Sequence, residues 1–153
     1  MEGSPLKYHA YCRFDLEAAS RGEALEELLN VVPLNKNSLR LIHGALEMRE
    51  QAGPTTMTPG IAIPHCRSIL VDDLTVVVGR SSAGVPWPEE PVKVMIMFIS
   101  PVRPDGPHEH LAFISHVASR IRKSPEAVLN AESPDSLLGV LGLEPVHGGV
   151  DEP

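Results

Sequence analysis

Residues 92–100 read VKVMIMFIS. Apart from Lys93 and Ser100 every side chain is apolar, so the run has no polar face to offer water. A strand of this kind is covered on both faces, the habit of sheets with helices packed on either side. LTVVVG (74–79) is a second apolar run, and Ile61-Ala62-Ile63 predicts a short strand over 60–64. YHAYCRFDL (8–16) has enough aromatic and apolar positions for a strand, although its alternation is poor.

Helical patterns fall between these runs. Ser20 and Glu23 form a capping box, each side chain able to satisfy a backbone N–H at a helix start. Leu25, Leu28, Leu29 and Val32 follow on one face, and Pro33 is expected to stop that helix. A second helix is predicted from Ser38, with Leu39, Ile42, Ala45 and Leu46 inward and Gly53 at its end. Residues 109–122 carry Leu111, Ile114, Val117, Ala118 and Ile121 along one face, with Arg120, Arg122 and Lys123 complementing the helix dipole. Ser124-Pro125 and Ser133-Pro134 each read as an N-cap plus proline at the first helical position, giving two short helices. Helices and strands interleave without repeats, which is the pattern of one α/β domain over 1–144. Residues 145–153 are expected to be a flexible tail.

Composition narrows the function. At 153 residues the chain suits one core and is short for two ordinary domains. Its net charge is −7 and its 13 Lys and Arg form no basic stripe, which argues against a nucleic-acid partner. No apolar run approaches the roughly 20 residues that cross a bilayer, so no membrane insertion is expected. The N-terminal MEGSPLKYHAYCRFDLE is broken by charge and is not a secretory signal. Cys12 and Cys66 make no disulfide framework, which points to a reducing, cytoplasmic setting, though a bridge between the two stays open.

The chemistry gathers in TPGIAIPHCRS (58–68), where Pro64 holds Ile63 extended and cannot donate to a sheet ladder. Sheet pairing should loosen there and leave His65 at a strand end. Neutral imidazole is a competent nucleophile near pH 7, its ordinary pKa being about 6.5. If it attacked phosphorus, the attached group would carry roughly −1.5 to −2 charge and need cationic or donor neighbours. Arg67, Arg49 and the PHEHLAF stretch (107–113) supply candidates, His110 standing just before Leu111, the expected first core residue of its helix. Simpler readings exist for each: His65 as a turn residue, His110 as a solvated one, Arg49 paired with Glu47 or Glu50, Trp87 as a loop anchor. His9, His43, His116 and His147 carry no functional expectation.

These residues together resemble a known family. GPTTMTPGIAIPHCR (53–67) is similar to the active-site signature of the fructose/mannitol-type (type 2) IIA domains of the bacterial phosphoenolpyruvate-dependent sugar phosphotransferase system, which include a nitrogen-regulatory branch. The spacing from Gly53 to His65 matches without a gap, Arg49-Glu50 precedes it, and His110-Leu111 follows the long strand as in the family. The resemblance spans most of residues 20–142. It implies a mixed parallel and antiparallel sheet flanked by helices. It further implies that His65 accepts a phosphoryl group from a small HPr-like phosphocarrier and passes it to a IIB domain, or regulates a target by its phosphorylation state. His110 would hydrogen-bond the phosphohistidine, Arg49 would balance its charge, and Thr55 would supply a hydroxyl that orients or contacts the histidine; Arg67, from the residues alone, is a second candidate for the phosphate side. No metal or organic cofactor is implied.

Pro54 stands where the family typically has serine, Cys66 where it has a small residue, and Val85 to Pro91 forms a loop of its own shape. Two other classes compete. One is a non-catalytic binding module of the same fold, against which the retained His65, His110 and Arg49 argue. The other is a zinc site from His65, Cys66, His108 and His110, against which adjacency argues, because neighbouring residues of an extended chain point to opposite sides.

Overall fold

The computed structural model describes residues 7–144; the expected tail at 145–153 lies outside them. The strands are β1 (Tyr8–Arg13), β2 (Thr56–Thr58), β3 (Ile61–Ala62), β4 (His65–Ser68), β5 (Leu74–Pro86) and β6 (Pro91–Pro101). The helices are α1 (Arg21–Leu29), α2 (Lys36–Ala52), α3 (His108–Lys123), α4 (Pro125–Asn130) and α5 (Pro134–Val140). One mixed sheet runs in the order β1-β5-β6-β3-β2, with β4 also on β6. β1 is parallel to β5, β5 antiparallel to β6, and β3 and β4 both run parallel to β6, one after the other.

The apolar run of β6 is explained by what covers it. Val94, Ile96 and Phe98 join Val76 and Val78 against Phe113, Val117 and Ile121 of α3 and Val128 and Leu137 beyond it. Met95, Met97 and Ile99 join Val77 against Leu25 and Leu28 of α1 and Ile42 and Leu46 of α2. Successive residues of a strand face opposite ways, so helices on both sides demand an unbroken apolar string. The chain is a single α/β domain with a mixed sheet and helices on both faces.

Local rules place most boundaries and shift several. The Ser20 hydroxyl accepts from Glu23 N–H at 3.2 Å while the Glu23 carboxylate accepts from Ala19 N–H at 2.9 Å. α1 ends at Leu29, so Val32 lies beyond the helix and Pro33 does not end it. α2 begins at Lys36, not Ser38, because the Asn35 side chain takes the capping role and accepts from Ser38 N–H at 2.8 Å. β1 stops at Arg13, before Asp15, whose φ of 60° is left-handed and ends extended pairing. Ser133 caps α5 through its side chain, whereas the Ser124 side chain makes no cap bond.

Two expected core residues are exposed. Ala45 lies about 60° outside the buried stripe of α2 at about 100° per residue, and Leu111 lies in the first turn of α3. The stripes are Phe113, Val117, Ala118 and Ile121 in α3, and Ile42, Leu46 and Glu50 in α2.

Candidate functional site

The predicted strand at 60–64 is two strands separated by a break. β3 ends at Ala62, the Ile63 N–H turns aside to the Thr55 carbonyl at 3.0 Å, and Pro64 offers only its carbonyl, which accepts from Phe98 N–H at 3.0 Å. The chain then rejoins β6 at His65, opposite Phe98. His65 therefore begins a new strand, and the proline accounts for the gap before it.

The His65 ring stacks on Phe98, centroids 5.0 Å apart and planes 14° from parallel. Its Nδ1 lies 2.7 Å from the Ile63 carbonyl oxygen. A carbonyl only accepts, so Nδ1 carries the proton and the lone pair sits on Nε2. Burial holds this imidazole below its ordinary pKa; the Ile63 hydrogen bond opposes that, the Arg49 charge adds to it, and the Glu50 charge opposes it again. The ring is half-buried and neutral near pH 7, with a nucleophilic nitrogen defined by its tautomer.

His110 comes from the first turn of α3, its ring edge-on to His65 with centroids 5.2 Å apart. The hydroxyl of buried Ser100, at the end of β6, bonds His110 Nδ1 at 2.8 Å. Burial first, then the charges of His65 and Arg67, push His110 down to about 4. Two neutral imidazoles therefore face one another over Phe98, whose ring centroid lies 5.3 Å from that of His110.

The remaining predicted residues divide. Arg49 and Thr55 line an open cleft of about 220 Å³ with His65, Met57 and Ile114. Arg49 is exposed at the end of α2, where it donates to the Gly53 carbonyl at 2.9 Å rather than pairing with Glu47 or Glu50. Arg67 is exposed on β4, and its charge acts on His110. The Thr55 hydroxyl donates to the Glu50 carboxylate. Cys66 points away from His65 and packs with the α1/α2 cluster, where burial pushes its thiol up to about 12. His108 is exposed. A larger groove of about 430 Å³ between α1 and α2 contains His43, which is tied to the Gly22 carbonyl at 2.9 Å.

Glu50, Ser100 and Phe98, beside the site, are given no functional role by the sequence reading. Glu50 is a buried carboxylate, 1% exposed, that accepts from Thr55 N–H at 3.1 Å and from the Trp87 indole N–H at 2.9 Å. Trp87 anchors its loop, as expected, but does so from within the core. Glu50 left a legible trace, since it continues the i, i+4 stripe of Ile42 and Leu46. Ser100 and Phe98 left none, reading as ordinary residues of a buried strand.

The sequence model described as "Phosphoenolpyruvate-dependent sugar phosphotransferase system, EIIA 2" matches residues 9–142. No curated protein matches the sequence. Solved structures resemble the fold. The nitrogen regulatory protein IIA-Ntr from Neisseria meningitidis is 24% identical, with a TM-score of 0.70 over 87% of this chain and 92% of that one. The mannitol IIA from Escherichia coli is 20% identical, with a TM-score of 0.63 over 85% and 94%. The same enzyme IIA in complex with phosphorylated IIB is 18% identical, with a TM-score of 0.63 over 86% and 93%. With most of its length matched by that sequence model, the chain belongs to the type 2 EIIA family of the phosphoenolpyruvate-dependent sugar phosphotransferase system.

Proposed function

We propose that the chain is a cytoplasmic histidine phosphocarrier that takes a phosphoryl group on His65 Nε2 from a phosphorylated HPr-like protein. It delivers the group to a IIB domain or signals to a regulatory target by its phosphorylation state. The observation that carries this reading is the tautomer: Nδ1–H is held by the Ile63 carbonyl, leaving Nε2 as the nucleophile beside His110. The IIA–IIB complex among the related folds supports the acceptor.

The step balances with protein groups alone. The Nε2 lone pair attacks phosphorus, the new N–P bond forms as the donor's P–N bond breaks, and that bond's electron pair returns to the donor ring. Nδ1 keeps its proton, so the loaded ring is a phosphoimidazolium, a good leaving group for onward transfer. The Ile63 carbonyl and the Glu50 charge favour its positive ring. Arg49 and His110 act on the phosphoryl side, and Arg67 adds positive potential near His110. Thr55 takes the orienting one of its two expected roles, acting through the Glu50 contact and its own carbonyl.

Intact mass after incubation with phosphoenolpyruvate and the system's two general phosphotransfer proteins tests the reading. One acid-labile phosphoryl group is expected on the wild type and none on His65→Ala. An unlabelled wild type, with carriers proven on another IIA domain, turns the assignment to the non-catalytic module.

A further inference from the structure

Resting on the phosphocarrier reading, we propose that Glu50 and Trp87 are positioning residues for His65. The buried carboxylate joins the indole of the β5–β6 turn to the loop that fixes the histidine tautomer, so that turn and ring respond to one another.

The path is continuous. His65 Nδ1–H donates to the Ile63 carbonyl at 2.7 Å, Ile63 N–H to the Thr55 carbonyl at 3.0 Å, and Thr55 N–H to Glu50 Oε1 at 3.1 Å. The carbonyl and N–H of each intermediate residue belong to different peptide groups, so the path acts by fixing the backbone positions of Thr55 and Ile63. With Thr55 pinned to Glu50 and Ile63 pinned to Thr55, the Ile63 carbonyl is held where it meets the Nδ1 proton. That hold is what leaves Nε2 with the lone pair.

Glu50 is an expensive residue to keep for packing alone. It sits at 1% exposure on the helical stripe of Ile42 and Leu46, where an apolar side chain would fill the place. A buried carboxylate is tolerated when donors satisfy it. Thr55 supplies N–H to one oxygen and its hydroxyl to the other, and Trp87 Nε1–H completes the set at 2.9 Å. Trp87 reaches Glu50 from the tight turn closed by Trp87 N–H on the Glu90 carbonyl at 2.9 Å. Beside it, Pro88, Glu89 and Glu90 are exposed. A second negative charge loaded on His65 would face Glu50 through the same loop, so loading should disturb the indole's surroundings.

Trp87 is the sole tryptophan of the chain, which makes the coupling measurable. The first experiment records the ¹⁵N spectrum of the His65 ring in the unphosphorylated wild type, Glu50→Gln and Trp87→Phe. The wild type is expected as the Nδ1–H tautomer, and both variants as tautomer mixtures. Single-turnover phosphoryl transfer should then fall on the order of tenfold in Glu50→Gln with donor half-saturation unchanged, and less in Trp87→Phe. Tryptophan emission should shift on loading the wild type and stay fixed in His65→Ala. A folded Trp87→Phe with a wild-type tautomer and transfer rate overturns the proposal, as does a loss confined to donor half-saturation. Trp87→Phe keeps an aromatic ring in the core and carries the test should Glu50→Gln fail to fold. If the wild type takes no phosphoryl group the phosphocarrier reading fails, while the tautomer comparison still decides the positioning roles.

Discussion

Strands β5 and β6 and the segment from Gly53 to Ser68 share one sheet and are built on opposite plans. β5 and β6 are long, antiparallel and apolar on both faces over their paired centre, Val76 to Val78 against Phe98 to Ile96. The 53–68 segment makes strands of three, two and four residues, with a register shift between Thr56 and Thr58 and a break at Ile63-Pro64. Continuous pairing consumes backbone N–H and C=O groups in the ladder and leaves the stability to burial. Interrupted pairing releases a few of those groups. Here the released carbonyls of Thr55 and Ile63 are the ones that hold Ile63 and His65. The rigid pair supplies the platform and the broken segment holds the candidate site.

That contrast can be broken at its strongest point. Phe98 is fully buried in β6 and lies under His65, His110 and Phe113. Phe98→Ala should cost about 3–5 kcal/mol in chemical denaturation, the usual range for a buried phenylalanine. Thr55→Val, in the broken segment, removes only the hydroxyl donor to Glu50 and should cost about 1–3 kcal/mol. Equal losses for the two substitutions would erase the division between platform and site.

The pH dependence sharpens the same comparison. An unfolded histidine binds its proton near pH 6.5, whereas folded His110 does so at about 4. Between those values the unfolded chain binds more protons, so stability should fall as pH drops through the window. His65, also held below its ordinary value, adds in the same direction. Denaturation midpoints from pH 7 to 4 should therefore decline, and His110→Asn should flatten part of the slope. A profile unchanged by that substitution would contradict the burial assigned to His110.

The smallest effect belongs to the residue next to the proposed nucleophile. With its thiol pushed up to about 12 and its side chain on the other face, Cys66 should alkylate far more slowly than a free thiol at pH 8. Cys66→Ser should transfer phosphoryl groups at the wild-type rate. Labelling followed by mass spectrometry, before and after unfolding, checks the first point.

Much of this was legible in the chain order. The VKVMIMFIS run demanded covers on both faces, Ser20 and Ser133 announced helix starts, and the GPTTMTPGIAIPHCR signature singled out His65. Misreadings fell where a pattern had two solutions. Asn35 could cap as well as Ser38, and Leu111 is exposed in the first turn of α3 although it shares a face with buried Ala118. The short apolar run at 60–64 concealed two strands because proline marks where pairing stops and not whether it resumes.

By itself the sequence determined the alternation of helix and strand and the double cover of β6, and it singled out His65 as the candidate histidine. Those follow from local periodicity and from chemistry confined to one stretch of chain. Only the tertiary structure decided that Ser100 holds His110 and that Glu50 meets Trp87 thirty-seven positions away. Such pairs are set by how helices rotate against the sheet and where a loop returns, because a buried polar group takes whatever partner the packing brings within hydrogen-bond reach.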